Sequence, residues 1–276
     1  EIATVMIRYG GGDLVRVLGI SGALERAGRI LHWHSTSEIS QLEAPVRIRR
    51  ALEELGPTFV KLGQMLATRV DMFPPHWIAE FEKLHSHVPA VPYEILRPCL
   101  VAAIKGEPTE VFATFDPVPL AAASIAQVHR ATLKDGTPVV VKIRRPGIEG
   151  VIRADLRILE HAAKLLESEV PDYRRYDPVQ MVSQFRRSLS RELDLAKEAR
   201  NIDQFARDFA DDPLVKIPRV YWEFTRDCVN VQEEIVGLEG VASDKLLASG
   251  LDPKLLAARG ADAVLRMVLE HGYFHA

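Results

Sequence analysis

Through residues 1–110 the apolar positions recur at helical spacing, and no stretch alternates in the manner of a strand. Glu43, Ala44 and Pro45 open a segment over 46–55 rich in Arg, Leu and Glu, which closes at Gly56-Pro57. From Thr58, the positions Phe59, Leu62, Leu66 and Val70 predict a second helix ended by Pro74-Pro75. Further helices are predicted over 76–84, with Trp77, Phe81 and Leu84 on one side, and over 94–104. The pattern then changes. Segments 111–115, 126–133 and 137–143 read as strands, the last two joined by a Lys134-Asp135-Gly136 hairpin turn. A helix over 151–169 follows, then a longer one within 178–209 with Asp177 as N-cap and Pro178 at its first position. Strand character returns at 220–224 and 228–235, and helices resume at 243–248 and 253–270. We therefore expect an α+β fold with a helical unit over 1–110, a sheet-containing lobe over 111–236 and further helices over 237–276. No internal repeat is visible.

Composition narrows the function class. Among 276 residues, 35 Lys and Arg face 38 Asp and Glu, a net charge of −3 that gives no support to a dedicated nucleic-acid binder. Hydrophobic residues at 47% and charged residues at 26% suit a globular protein with a buried core. Cys99 and Cys228, the only cysteines, make neither a disulfide framework nor a zinc cluster, which fits a reducing compartment. His32 and His34 flank Trp33 without a third ligand nearby and read as surface residues. No apolar run reaches the ~20 residues of a membrane-spanning helix. Neither end resembles a natural terminus, so the chain reads as part of a longer protein.

Four blocks carry candidate chemistry. Lys142 sits in the β-branched run Val139-Val140-Val141-Lys142-Ile143, where a buried ammonium would need an anion; an edge-strand lysine facing water is the plainer reading. The stretch 191–201 supplies candidate anions: on one continuous helix Asp194, Glu198 and Asn201 share a face, and Glu192 points elsewhere. In Lys61-Leu62-Gly63-Gln64, Gly63 costs about 1 kcal/mol against Ala within a helix, which suggests a close helix contact or approach to a ligand. Lys61, Gln64 and Thr68 share a face that could equally be the wet side of that helix. Finally, Ala121-Ala122-Ala123-Ser124 enters the strand over 126–133, where a phosphate-binding loop would have glycines; alanines make it stiffer.

Taken in order, these blocks resemble the UbiB family of atypical kinase-like proteins, also called the AarF-domain family. Lys61-Leu62-Gly63-Gln64 is similar to its KxGQ signature, 121–129 to its alanine-rich loop, and Lys142 with Arg144-Arg145-Pro146-Gly147 to its strand-lysine block. Glu192, Asp194 and Glu198 resemble its ExD signature and helix glutamate, and Glu233 in Gln232-Glu233-Glu234-Ile235-Val236-Gly237 resembles a hinge acid. Ala126 departs from a usual glycine. The resemblance implies a protein-kinase-like N-lobe, an antiparallel sheet plus a long helix, with a helical N-terminal extension and the first helices of a C-lobe. It also implies ATP or ADP held with Mg²⁺, with Lys142, Glu198, Ala121, Ala122, Ala123, Ser124 and Glu233 toward the nucleotide. Lys61, Gly63, Gln64, Glu192 and Asp194 would then form a regulatory motif that obstructs protein substrates.

By the same resemblance, His275 in Gly272-Tyr273-Phe274-His275-Ala276 stands just before the catalytic loop, so no catalytic or metal-binding residue is expected within this chain. The chain alone is then expected not to turn over ATP. The whole protein would be peripherally membrane-associated on the cytoplasmic side and act in ubiquinone or other isoprenoid-lipid metabolism. A non-catalytic lipid- or partner-binding module with a degenerate nucleotide lobe is the alternative. An antibiotic kinase of similar lobe architecture leaves the Lys61–Gln64 and Glu192–Asp194 blocks unexplained.

Overall fold

The computed structural model describes residues 2, 4, 5, 8, 9, 39, 41–84, 89–169, 171–238 and 243–273; His32, Trp33, His34 and His275 fall outside them. From residue 41 to the first strand, five helices are found among the described residues: α1 (Ala44–Leu55), α2 (Pro57–Ala67), α3 (Pro75–Phe81), α4 (Tyr93–Ile104) and the single turn α5 (Pro108–Val111). Gly56 separates α1 from α2 at φ 95°, a conformation that strongly favours glycine, and Pro57 restarts the helix at once. The second helix is shorter than its apolar spacing predicts. It stops at Ala67, and Thr68 turns its hydroxyl back to the Met65 carbonyl, leaving Val70 76% exposed. Proline is thus not what ends it.

The sheet is antiparallel throughout. Strand β3 (Ala126–Leu133) pairs with β4 (Pro138–Arg144), which pairs with β5 (Val229–Glu233). Along the other edge of β3 lie β1 (Phe112–Phe115) and the two-residue β2 (Ala121–Ala122). Period-two alternation decides the two faces of β4: Val139, Val141 and Ile143 are fully buried, while Val140, Lys142 and Arg144 are partly exposed. The buried face joins Val229 and Val231 of β5 and packs on Leu96 and Leu100 of α4, forming the main core. Gln127, wholly buried on β3, donates to the Val91 carbonyl and accepts from the Val91 N–H, tying the entry to α4 into the sheet.

The other face carries α6 (Ile148–Glu169), α7 (Pro178–Glu192) and α8 (Leu195–Asp208). Ile148, Ile152 and Leu156 recur every fourth residue on α6 and meet Phe185 and Leu189 of α7 in a second core. Asp177 caps α7 as its sequence predicts, accepting from the Gln180 N–H. The single long helix expected over 178–209 is two helices, however. Leu193 ends α7, and Asp194, in extended conformation, caps α8 by accepting from the Lys197 N–H. The helical-face argument joining Asp194, Glu198 and Asn201 therefore fails, because Asp194 lies outside the helix and Asn201 is exposed.

The strand expected over 220–224 also gives way. Val220 makes one bridge to Gln232, and the chain then turns. The Arg226 guanidinium bonds the carbonyls of Trp222, Glu223 and Thr225, which satisfies them without a ladder partner. Beyond β5 come α9 (Ser243–Ala248) and α10 (Pro253–Leu269), the latter tied to the lobe by Arg266, which pairs with Asp212 at 2.5 Å.

A third core, of Leu52, Phe59, Val60, Phe81 and Leu84, holds α1 to α3 together, and Leu62 and Leu159 belong to both this cluster and the second. Gly63 lies within it. A methyl group there would overlap Leu84 Cδ1 and sit 2.9 Å from Leu52 Cδ1, so this glycine serves helix packing. Gly63→Ala gains about 1 kcal/mol of helix propensity but incurs an overpacking cost of about 1–3 kcal/mol. The expected result in urea unfolding is a net loss that disappears in a Leu84→Ala background. Strictly additive effects would contradict this packing assignment.

Candidate functional site

Lys142 emerges from the exposed-face row of β4 directly opposite Val128 on β3 and Asn230 on β5. It finds its anion one turn into α8: Nζ donates to both carboxylate oxygens of Glu198, at 2.9 and 2.7 Å. The two side chains keep 28% and 38% of their exposure, so the pair is sheltered yet reachable by a ligand. An exposed ion pair in water stabilises by only about 0–1 kcal/mol. Its geometry matters more than its stability here, since it fixes an ammonium over a polar sheet face.

Glu198 is held in place by the junction between α7 and α8. Leu195 N–H donates to the Asp227 carbonyl, docking the start of α8 on the turn before β5. Leu195 and Ala199, four residues apart on α8, are completely buried. Arg144, two residues after Lys142, binds the Leu193 carbonyl at 2.6 Å through Nη1 and also reaches the Asp227 carbonyl. It pairs further with Glu149 at 3.0 Å and with Asp227 at 3.4 Å. A cation on the last carbonyls of α7 opposes that helix's negative end. Arg144 thus joins β4, α6, α7 and the β5 turn at one point. Sequence reading placed it in a family-like block and gave it no role.

The alanine-rich entry is a short hairpin. Leu120 and Ala123 give their N–H groups to the Val128 and Ala126 carbonyls, and Arg145 donates to the Ala123 and Pro89 carbonyls. Ala121 is exposed, Ala122 and Ala123 are half-buried, and Ser124 is buried. Ala126, in ordinary strand pairing with Arg144, is buried. Burial lowers the pKa of Arg145 and of the fully buried motif residue His129, whose Nδ1 lies 2.9 Å from the Asp116 carbonyl. At the far end of β5, Glu233 pairs with Lys216 at 2.8 Å and accepts from the Arg219 N–H, and both contacts hold its pKa below the ordinary carboxylate value.

The first helical unit reaches this junction through α2. Lys61 pairs with Glu192 at 2.9 Å. Gln64, expected to face the same carboxylates, donates its amide to the Leu84 carbonyl at 2.8 Å and so braces the helical unit itself. Asp194 joins Arg200 at 3.2 Å in addition to capping α8. A second tie had no signal in sequence: Thr58, fully buried on α2, donates to Asp155 of α6 at 2.6 Å. Among the described residues no three His, Cys, Asp or Glu side chains cluster as a metal site.

Residues 83–276 match the ABC1 atypical kinase-like domain. A protein of Cellvibrio japonicus described as a probable protein kinase UbiB is 42% identical over 83% of this chain and 42% of its own length. Proteins with the same description from Marinobacter nauticus and Pseudomonas aeruginosa are each 38% identical over the whole chain, which covers 50% and 52% of them. The chain thus spans about half the length of the curated relatives it matches. A solved structure of a complex of Rv3197 with erythromycin from Mycobacterium tuberculosis is 30% identical over 66% of this chain and 44% of that one, with a TM-score of 0.48.

The two ties from α2 differ in burial, and that sets their weight. The Lys61–Glu192 side chains are 35% and 33% exposed, so Lys61→Ala should cost less than about 1 kcal/mol of stability. Thr58→Val removes a buried hydroxyl bound to a carboxylate and should cost about 1.5–3 kcal/mol. Denaturant midpoints measure both, and a larger loss from Lys61→Ala would show that the ion pair, and not the hydroxyl, fastens α2 to the lobe.

Proposed function

The chain belongs to the ABC1 atypical kinase-like family, and on that premise we propose that it supplies the phosphate-anchoring lobe of an adenine-nucleotide site in an atypical kinase or ATPase. One observation carries the reading: Lys142 on a central strand, paired through both carboxylate oxygens with Glu198 on α8. Phosphoryl transfer is chiefly positioning and charge neutralisation, so a fixed ammonium is the contribution such a lobe has to make. With 28% of its side chain exposed, Lys142 has room to take a phosphate oxygen as a further acceptor while Glu198 keeps it aimed.

The other residues are assigned around that anchor. Ala121, Ala122, Ala123 and Ser124 would form the roof over the phosphates, held down by Arg145, and Glu233 would mark the adenine side. Because Leu120 and Ala123 N–H groups already serve β3, the roof offers a nucleotide fewer donors than a glycine-rich loop and more methyl surface. The nucleotide, when bound with Mg²⁺, would provide the transferable phosphoryl group. The charge of Lys142 supports the phosphate assignment, and among the described residues no cluster of His, Cys, Asp or Glu would hold the metal.

Lys61, Gly63, Gln64, Glu192 and Asp194 are assigned to a regulatory motif. Lys61 reaches the C-terminal end of α7 from the helical unit, which favours obstruction of a bulky protein substrate and hence ATPase or small-molecule kinase activity. For the whole protein the proposal extends to peripheral membrane association on the cytoplasmic side and to ubiquinone or isoprenoid-lipid metabolism. Among the described residues no helix is long and apolar enough to cross a membrane.

The test is nucleotide affinity of the full-length protein, measured by calorimetry with ADP and with a non-hydrolysable ATP analogue, with and without Mg²⁺. Removing a charge-assisted bond worth about 1.5–3 kcal/mol should weaken binding roughly ten- to hundredfold in Lys142→Ala. Unchanged affinity in a folded variant would remove the lysine from the site. No Mg²⁺-dependent binding by the wild type would favour the non-catalytic module.

A further inference from the structure

Cys99 and Cys228, 129 residues apart in sequence, stand side by side. Cys99 lies on α4, with its Sγ 3.8 Å from the Cys228 carbonyl oxygen. Both are free, both are partly exposed, and both rest against the rim of the main core. Neither takes part in the nucleotide site proposed above. Cys99 lies on a firmly packed helix and Cys228 in the turn that leads directly into β5: Leu96 and Leu100 flank Cys99, and Val229 follows Cys228, each fully buried. The thiols are therefore held together by a helix and by a short turn that the Arg144 N–H fastens to β4 at the Cys228 carbonyl.

From this juxtaposition we propose that Cys99 and Cys228 form an oxidation-sensitive dithiol, a modification site at which a peroxide converts the pair to an intramolecular disulfide. The two cysteines have unequal roles. Contact with Cys99 lowers the pKa of the Cys228 thiol, whereas the same contact and burial raise that of Cys99, whose Sγ faces a carbonyl oxygen and so keeps its proton. Cys228 is thus the thiolate that attacks, and Cys99 the thiol that resolves. In the first step the Cys228 sulfur takes one peroxide oxygen as the O–O bond breaks. The products are a sulfenic acid and hydroxide, and the latter takes a proton to become water. In the second, Cys99 sulfur attacks the sulfenyl sulfur, the S–S bond forms, the S–O bond breaks, and a second water leaves with the Cys99 proton. Two thiols lose two electrons in total, and the peroxide accepts them.

The location gives the bond a consequence. Cys228 also accepts at its carbonyl from the Arg144 N–H, and the adjacent Asp227 carbonyl receives Leu195 N–H at the start of α8. A disulfide would therefore pin α4, on one face of the sheet, to the turn on which the Glu198 helix docks on the other.

The experiment exposes folded full-length protein to hydrogen peroxide, alkylates the remaining thiols and maps peptides by mass spectrometry. The expected result is joint loss of alkylation at both positions and a linked peptide lacking two hydrogens, reversed by dithiothreitol. The oxidised protein should also melt at a higher temperature than the reduced form. In Cys99→Ser, a sulfenic acid at Cys228 should become trappable by dimedone, while Cys228→Ser should leave Cys99 alkylatable under the same exposure. The proposal is overturned if the wild type keeps both thiols alkylatable, forms only intermolecular disulfides, or oxidises the two cysteines separately without a linked peptide. The wild-type map stands by itself should either serine variant fail to fold.

Discussion

A lysine on an interior strand imposes a constraint on everything around it. The ammonium of Lys142 stands on a sheltered, partly exposed sheet face, and an anion to aim it cannot come from the sheet, because its β3 and β5 neighbours across the ladder are Val128 and Asn230. The carboxylate is delivered from a helix laid over that face, at the right height and angle. The break between α7 and α8 makes this possible. Its capping aspartate, the docking of Leu195 on the β5 turn and the grip of Arg144 on the end of α7 each fix one coordinate of the helix that presents Glu198.

The helical unit over 44–84 is coupled to the same junction, by unequal means. Apolar packing through Leu62 and Leu159 and the buried Thr58–Asp155 bond provide adhesion, while the half-exposed Lys61–Glu192 pair contributes little energy and much orientation. That division suits a regulatory contact. A pair of low cost can be broken and remade by a ligand or a conformational change without dissolving the packing behind it.

Much of this was legible in the residues. The sequence pattern places strand β3 and helix α9 at the boundaries they have, and the strand lysine, its helix glutamate and the Lys61–Glu192 region are nameable because their blocks resemble the family's signatures in order. What escaped has a common physical cause. The α7–α8 break depends on Arg144 and Asp227, far apart in sequence, holding carbonyl and amide groups that a continuous helix would have used itself. Likewise Arg226 satisfies the carbonyls of a turn where β-rich composition suggests a strand, and Gln64 donates to a backbone carbonyl at the exit of α3, away from Glu192 and Asp194. Long-range bonds to backbone atoms leave no periodicity to read. The role of Gly63 was narrowed by the same kind of information: helix packing or a ligand would each require a glycine, and only the positions of Leu52 and Leu84 choose between them.

We propose the paired ammonium on β4 as the phosphate anchor. A crystal structure of the full-length protein with Mg²⁺ and a non-hydrolysable ATP analogue tests it most directly. The account predicts a phosphate oxygen within hydrogen-bonding distance of Lys142 Nζ, with Glu198 still paired to the same nitrogen and the Ala121–Ser124 hairpin above it. Phosphates bound away from β4, with Lys142 satisfied by Glu198 alone, would contradict it.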